Sequence, residues 1–187
     1  SRLYGLTYDI LALTNISHDH LDYHKSLNNY INAKLKLFIQ NAKPNGILII
    51  SKDTQYYPII CKKLKSRNIK YLTFGLKKAD FEIKEISRNN SRVEMQLNHA
   101  SKKYIFKFNN LSNYQIKNYL LATSIVNKLG YEFNKIKSFS LNIPSVPGRM
   151  ELAGIKKDKA KVFVDFAHTP DALENVLNEA KQMSGGK

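Results

Sequence analysis

One cysteine, Cys61, stands in 187 residues, so no internal disulfide can form, which fits a reducing compartment. No apolar run reaches the roughly 18 residues needed to span a bilayer. The N-terminus, SRLYGLTYD, lacks the basic and apolar regions of a signal peptide. Together these absences predict a cytoplasmic protein with no membrane partner. Acidic residues are also scarce: 15 Asp and Glu stand against 30 Lys and Arg, a formal net charge of +15. The lysines are spread over several stretches, KKLKSRNIK at 62–70 and KKDKAK at 156–161 among them, and no DNA- or RNA-binding signature accompanies them. They read as solvated faces. The excess is equally compatible with a phosphate-rich anionic ligand, and specific nucleic-acid binding is not expected. No internal repeat, no low-complexity tract and no GxxxxGK(S/T) loop is present, so nothing in these residues can cradle nucleotide phosphates as a P-loop does.

The hydrophobic fraction, 43%, is ordinary and sufficient for a globular core. YDILALTNIS begins an apolar strand at about 8–14, and beyond its carboxyl end comes TNISHDHLDYH (14–24). His18, Asp19, His20, Asp22 and His24 can all reach a cation, yet their spacing fits no zinc signature. A polar loop and a metal or phosphate site both remain open. The position favours the second, because open α/β sheets bind ligands at the carboxyl ends of their strands.

SLNNYINAKLKLFIQ predicts a helix capped by Ser26 and followed by an Asn45-Gly46 turn, with Leu27, Tyr30, Ile31, Leu35 and Phe38 on one face. Lys34 falls on that apolar face, whereas Lys36 points away. A lysine so placed either snorkels its ammonium to water or is held inward beside charged ligands with its chemistry altered. GILIIS (46–51) and IKYLTFG (69–75) read as buried parallel strands with a helix between them. DFEIKEI, RVEMQLN and KKYIFKFN alternate with period two and predict a half-exposed antiparallel meander. A helix at about 113–129 follows, closed by Gly130 and containing Asn118. PSVPGRME (144–151) resembles an interdomain connection. AKVFVDFAHTPDALENVLNEAKQM then predicts strand, turn and helix, with Pro170 at the first helical position after Thr169. One strand and one helix cannot bury their apolar faces unaided, so this last piece is expected to be incomplete. The fold class is α/β: a doubly wound sheet with an antiparallel meander, then the first βα unit of a Rossmann-like domain.

Read in order, TNISHDHLDYH, the NAK of Asn32–Lys34, YQIKN (114–118), PGRME (147–151) and VDFAHTPDAL (164–173) resemble the Mur ligases. Within that family the likeness is to the UDP-N-acetylmuramoyl-peptide synthetases that add the third residue of the peptidoglycan stem. The resemblance implies a central ATP-binding domain over 1–146, lacking its P-loop portion, and the start of a C-terminal domain over 147–187. It implies ATP and Mg2+ as cofactors. Its partners are UDP-MurNAc-L-Ala-D-Glu and an amino acid, either meso-diaminopimelate or L-lysine. ATP phosphorylates the substrate carboxylate, and the incoming amine attacks the acyl phosphate. Two anions must then be brought together, which demands cations.

By the same resemblance, His20 holds magnesium. Lys34 is carbamylated and helps place a second ion, which requires an uncharged amine and favours the inward reading. Asn118 meets the adenine, Arg149 and Asp165 contact phosphate and ribose, and His168 lies beside them. Arg2 contacts the UDP-MurNAc substrate. Without the resemblance, Asn118 reads as a packing amide and Arg149 as a linker ion pair. Two departures stand out in the family's G-x-F-N/Q-x-x-N stretch: Ser112 replaces the glycine and Tyr114 the phenylalanine. His18 replaces a residue that is commonly basic. With no P-loop, the chain is expected to be an internal fragment, inactive unless the missing domains are supplied in cis or in trans. A non-catalytic remnant, a split-gene subunit and a folylpolyglutamate synthetase-like fragment are the alternatives.

Overall fold

The computed structural model describes residues 5–16, 25–89, 92–109 and 111–183. Six strands form one sheet in sequential order: β1 Tyr8–Leu13, β2 Ala42–Ser51, β3 Tyr71–Gly75, β4 Phe81–Asn89, β5 Arg92–His99 and β6 Lys102–Asn109. The first four pair in parallel, and β4, β5 and β6 pair antiparallel. Helices α1 (Leu27–Asn41) and α2 (Tyr57–Lys65) make the crossovers that parallel pairing requires. β3 and β4 share only two paired positions, Phe74 with Phe81 and Gly75 with Glu82, because residues 76–80 merely jog the chain sideways. That jog is clamped at Asp80, whose carboxylate accepts from the Thr73 amide at 2.7 Å and the Thr73 hydroxyl at 2.6 Å.

Strand β2 shows why the sheet is buried on both faces. Leu48 and Ile50 pack with Ile31, Leu35, Phe38, Ile60 and Leu64 under α1 and α2. Ile49, pointing the other way, joins Phe74, Phe81, Met95, Phe106, Phe108 and Leu120 under α3 (Asn113–Lys128). A continuous apolar strand is what two covered faces demand. The meander is covered on one face only. Val93, Met95 and Leu97 are buried, while Glu94 on the other side pairs with Lys107 at 3.1 Å. Phe106 is fully buried between the rings of Tyr119 and Phe133, with centroids at 5.8 and 6.5 Å. Phe106→Ala is expected to cost about 3–5 kcal/mol. Denaturant unfolding checks this, and a loss below about 1 kcal/mol would show that the meander's core collapses to fill the space.

Local signals place the helices well. Ser26 caps α1 by accepting from the Asn29 amide at 3.2 Å. Ser112 and Gln115 form a capping box at the start of α3, and Gly130, at φ +100°, follows its end. Two expectations need correction. β2 begins at Ala42, not after an Asn45-Gly46 turn; the register against β1 shifts between Tyr8 and Ile10, and Asn45-Gly46 lies inside this bulged strand. A β-carbon on Gly46 would sit 3.1 Å from the Tyr8 carbonyl, a tight approach that favours glycine.

The second correction concerns the C-terminal unit. It is not a lone strand and helix: β7 (Glu151–Ile155) pairs antiparallel with β8 (Lys161–Val164), ahead of α5 (Pro170–Met183). Gly154 and the turn residues of PGRME hid β7 from a strand reading. Its large apolar side chains are open to solvent, including Ile155, Phe166 and Leu177. Between α3 and β7 lie the short helix α4 (Phe133–Ser138) and a 3-10 turn at Ser140–Asn142. No helix among the described residues is long and apolar enough to cross a membrane.

Candidate functional site

The carboxyl ends of β1, β2 and β3 open into a cavity of about 810 Å³, within the roughly 300–1,000 Å³ range of small-molecule sites. Thr14 and Asn15 line it just after β1, Ser51 at the end of β2 with Asp53 just beyond it, and Phe74 from β3. Tyr114, Lys117 and Asn118 come from α3. Arg149, Asp165, Phe166 and His168 close it from the C-terminal unit. Four predicted nucleotide contacts, Asn118, Arg149, Asp165 and His168, therefore face one cavity although 50 residues separate the first from the last.

Each wall is held by identifiable bonds. At the end of β2, Asp53 accepts from the Leu76 amide at 2.8 Å and pairs with Lys117 at 3.1 Å, one residue before Asn118. Gly75 sits so close that an added β-carbon would lie 2.5 Å from the Asp53 carboxylate. Asn118 is exposed at the mouth, which leaves its amide available to a planar ring offering a donor and an acceptor. The Arg149 guanidinium is also exposed and lies over the Phe166 ring, 5.6 Å from its centroid. His168 bonds the Phe166 carbonyl through Nδ1 at 2.9 Å, and its side chain is otherwise open to the cavity.

Asp165 differs from the simple ribose acceptor that the resemblance implies. One carboxylate oxygen accepts from the Met150 amide at 2.8 Å and from the Tyr114 hydroxyl at 3.0 Å. The other accepts from the Ala167 amide at 2.8 Å. Most of its bonding capacity is thus used inside the protein, with room left on the second oxygen. Burial, and then the bond to Asp165, push the Tyr114 phenol up to about 12, so it remains a donor at neutral pH.

Lys34 is not among the cavity's lining residues. It is exposed, with its ammonium over the Tyr30 ring at 5.4 Å from the centroid, so the inward burial expected of it is not what the chain adopts. Arg2, His20 and the rest of the histidine-aspartate stretch from residue 17 to residue 24 lie outside the described residues. Among the described residues, no three His, Cys, Asp or Glu side chains gather as a metal site. Sequence reasoning missed Asp53, Lys117, Tyr114 and Gln115 as wall residues. The strand-end rule that singled out residues after β1 also points to Asp53 after β2.

Comparison with known proteins gives a consistent pattern. Residues 1–126 match the Mur ligase middle domain. A UDP-N-acetylmuramoyl-L-alanyl-D-glutamate--2,6-diaminopimelate ligase of Rickettsia montanensis is 36% identical over 183 residues, covering 98% of this chain and 37% of the relative. The enzyme of the same name from Aquifex aeolicus is 34% identical, covering 100% and 37%. The chain thus spans somewhat over a third of the length of these curated relatives. A solved structure of a ligase with this name aligns with a TM-score of 0.75 and 28% identity, over 96% of this chain and 37% of the other. The apo form of L. casei FPGS shares the fold alone, with a TM-score of 0.74 at 15% identity, over 95% of this chain and 43% of the other.

Proposed function

The chain belongs to the Mur ligase family, and from that premise we propose that it forms the nucleotide-binding part of an ATP-dependent amide-forming ligase of peptidoglycan synthesis. The observation that carries this reading is the convergence of Asn118, Arg149, Asp165 and His168 on one cavity at the strand ends. In this reading the Asn118 amide meets the adenine. Arg149 offers a planar fork of donors to phosphate oxygens. Asp165, on its less occupied oxygen, accepts from a ribose hydroxyl. The chemistry of this donor set fits a nucleoside polyphosphate.

The proposed reaction joins diaminopimelate, the amino acid in the relatives' names, to UDP-MurNAc-L-Ala-D-Glu. The glutamyl carboxylate takes the γ-phosphoryl group of ATP, and the amine then displaces phosphate, so one amide forms for each ADP and phosphate released. His20 and Lys34 are the proposed magnesium-side residues, Lys34 as its carbamate, and Arg2 the proposed contact to the UDP-MurNAc substrate. When bound, magnesium supplies charge neutralisation between the two anions. The phosphate cradle comes from outside these residues, so turnover requires the full-length protein or a complementing polypeptide.

Phosphate release by the full-length protein, measured with ATP and each co-substrate in turn, tests the reading. Release is expected only when UDP-MurNAc-dipeptide and diaminopimelate are both present. Equal release with L-lysine would remove the diaminopimelate assignment. Release with folate and glutamate instead would replace the cell-wall reading by the folylpolyglutamate one. No release with any pair, from protein that is folded, would leave a non-catalytic remnant.

A further inference from the structure

The first turn of α3 does more than start a helix. Three consecutive residues there each donate to a different part of the C-terminal unit. Asn113 Nδ2 reaches Gln182 on α5 at 3.0 Å, Tyr114 Oη reaches Asp165 after β8 at 3.0 Å, and Gln115 Nε2 reaches the Arg149 carbonyl before β7 at 2.9 Å. The turn is itself fixed to the sheet, since Arg88 of β4 donates to the Leu111 carbonyl at 2.6 Å and to Asn113 Oδ1 at 2.8 Å.

Gln115 has two functions. Its side-chain oxygen accepts from the Ser112 amide at 2.9 Å and so completes the capping box, which locks the amide's orientation. The locked amide then presents its NH2 to Arg149. Tyr114 is the counterpart for Asp165. The same Asp165 oxygen also holds the Met150 amide, so the phenol, the carboxylate and the turn at 148–150 form one connected unit.

We propose that the Asn113–Tyr114–Gln115 turn is the joint that sets the C-terminal unit over the nucleotide cavity, with Tyr114 and Gln115 as positioning residues for Asp165 and Arg149. The mechanical half of this inference stands on the hydrogen bonds alone; its functional half rests on the nucleotide reading above. The ring of Tyr114 fills space whether or not it carries a hydroxyl, so Tyr114→Phe removes the bond and little else.

The experiment compares the full-length wild-type protein with Tyr114→Phe by amide hydrogen exchange over residues 147–168 and by steady-state kinetics in ATP. Exchange in that segment is expected to quicken about tenfold, the effect of one lost hydrogen bond to a charged group. KM for ATP is expected to rise by a similar factor with kcat within about twofold, because the loss falls on nucleotide binding and not on the chemical step. A merely destabilised protein would lose kcat through its active fraction and keep its KM. Asp165→Asn weakens the same link from the other side, and the double variant should be no worse than the more affected single one. Unchanged exchange in Tyr114→Phe would overturn the joint. Faster exchange with an unchanged KM for ATP would overturn the positioning role. A wild-type protein that turns over no ATP would sink the nucleotide reading, while exchange would still decide the joint.

Discussion

Lys34→Ala in the full-length protein is expected to lower amino-acid-dependent phosphate release at least about 100-fold, the scale seen when one group that stabilises transition-state charge is removed. Its unfolding transition should hardly move. The side chain is exposed, and its ammonium approaches the Tyr30 ring. Exposed contacts of that kind contribute about 0.5–1 kcal/mol. A large kinetic loss with a small stability loss therefore separates function from folding.

The exposure also constrains the proposed carbamate. A carbamate carries a negative charge, which cations set beside it stabilise. Carbamylation of Lys34 is therefore expected to need cations placed beside it. Excess bicarbonate should partly restore CO2-depleted wild-type enzyme and leave Lys34→Ala unchanged. Near-normal turnover in the alanine variant would remove Lys34 from the mechanism.

How much of this was readable in the sequence depended on the range of the forces involved. Period and capping are local, so the parallel strands, the meander, the start of α1 and both ends of α3 followed from neighbours a few residues apart. Ile49 facing one layer while Leu48 and Ile50 face the other is the period-two rule applied to a strand covered twice. Lys34 marks the limit of that reasoning. Its angular position puts it among apolar residues, yet the side chain is exposed with its ammonium over the Tyr30 ring. β7 was lost because a strand holding Gly154 and starting in a proline-glycine turn carries almost no periodic signal. The cavity walls were legible only in part. Asn118, Arg149 and Asp165 were singled out only through the family resemblance, and the Tyr114–Asp165 bond links residues 51 positions apart. Only tertiary packing brings them together.

The turn that carries Arg149 gives the other large expected effect. Gly148 has φ +65°, and a β-carbon on it would run into the Phe166 ring. Its amide donates to Glu151 at 2.7 Å and its carbonyl accepts from the Phe166 amide at 2.9 Å, so the backbone cannot turn away without breaking both. Gly148→Val faces two costs. The left-handed conformation disfavours any β-carbon by about 1–2 kcal/mol, and more for a branched one. The collision adds about 1–3 kcal/mol if the ring holds its place. Phe166 is largely exposed and can swing outward, which relieves the second cost but takes the ring from under Arg149. The backbone cost remains in either case. Gly148→Val is therefore expected to lose about 1–5 kcal/mol of local stability and to raise KM for ATP at least about tenfold, the equivalent of 1.4 kcal/mol. Gly148→Ala should fall between the variant and the wild type. Hydrogen exchange at 147–168 and ATP kinetics measure both effects. If the valine variant matches wild type in exchange and in KM, the 148–150 turn does not set the position of Arg149, and the guanidinium must be held over the cavity by the nucleotide itself.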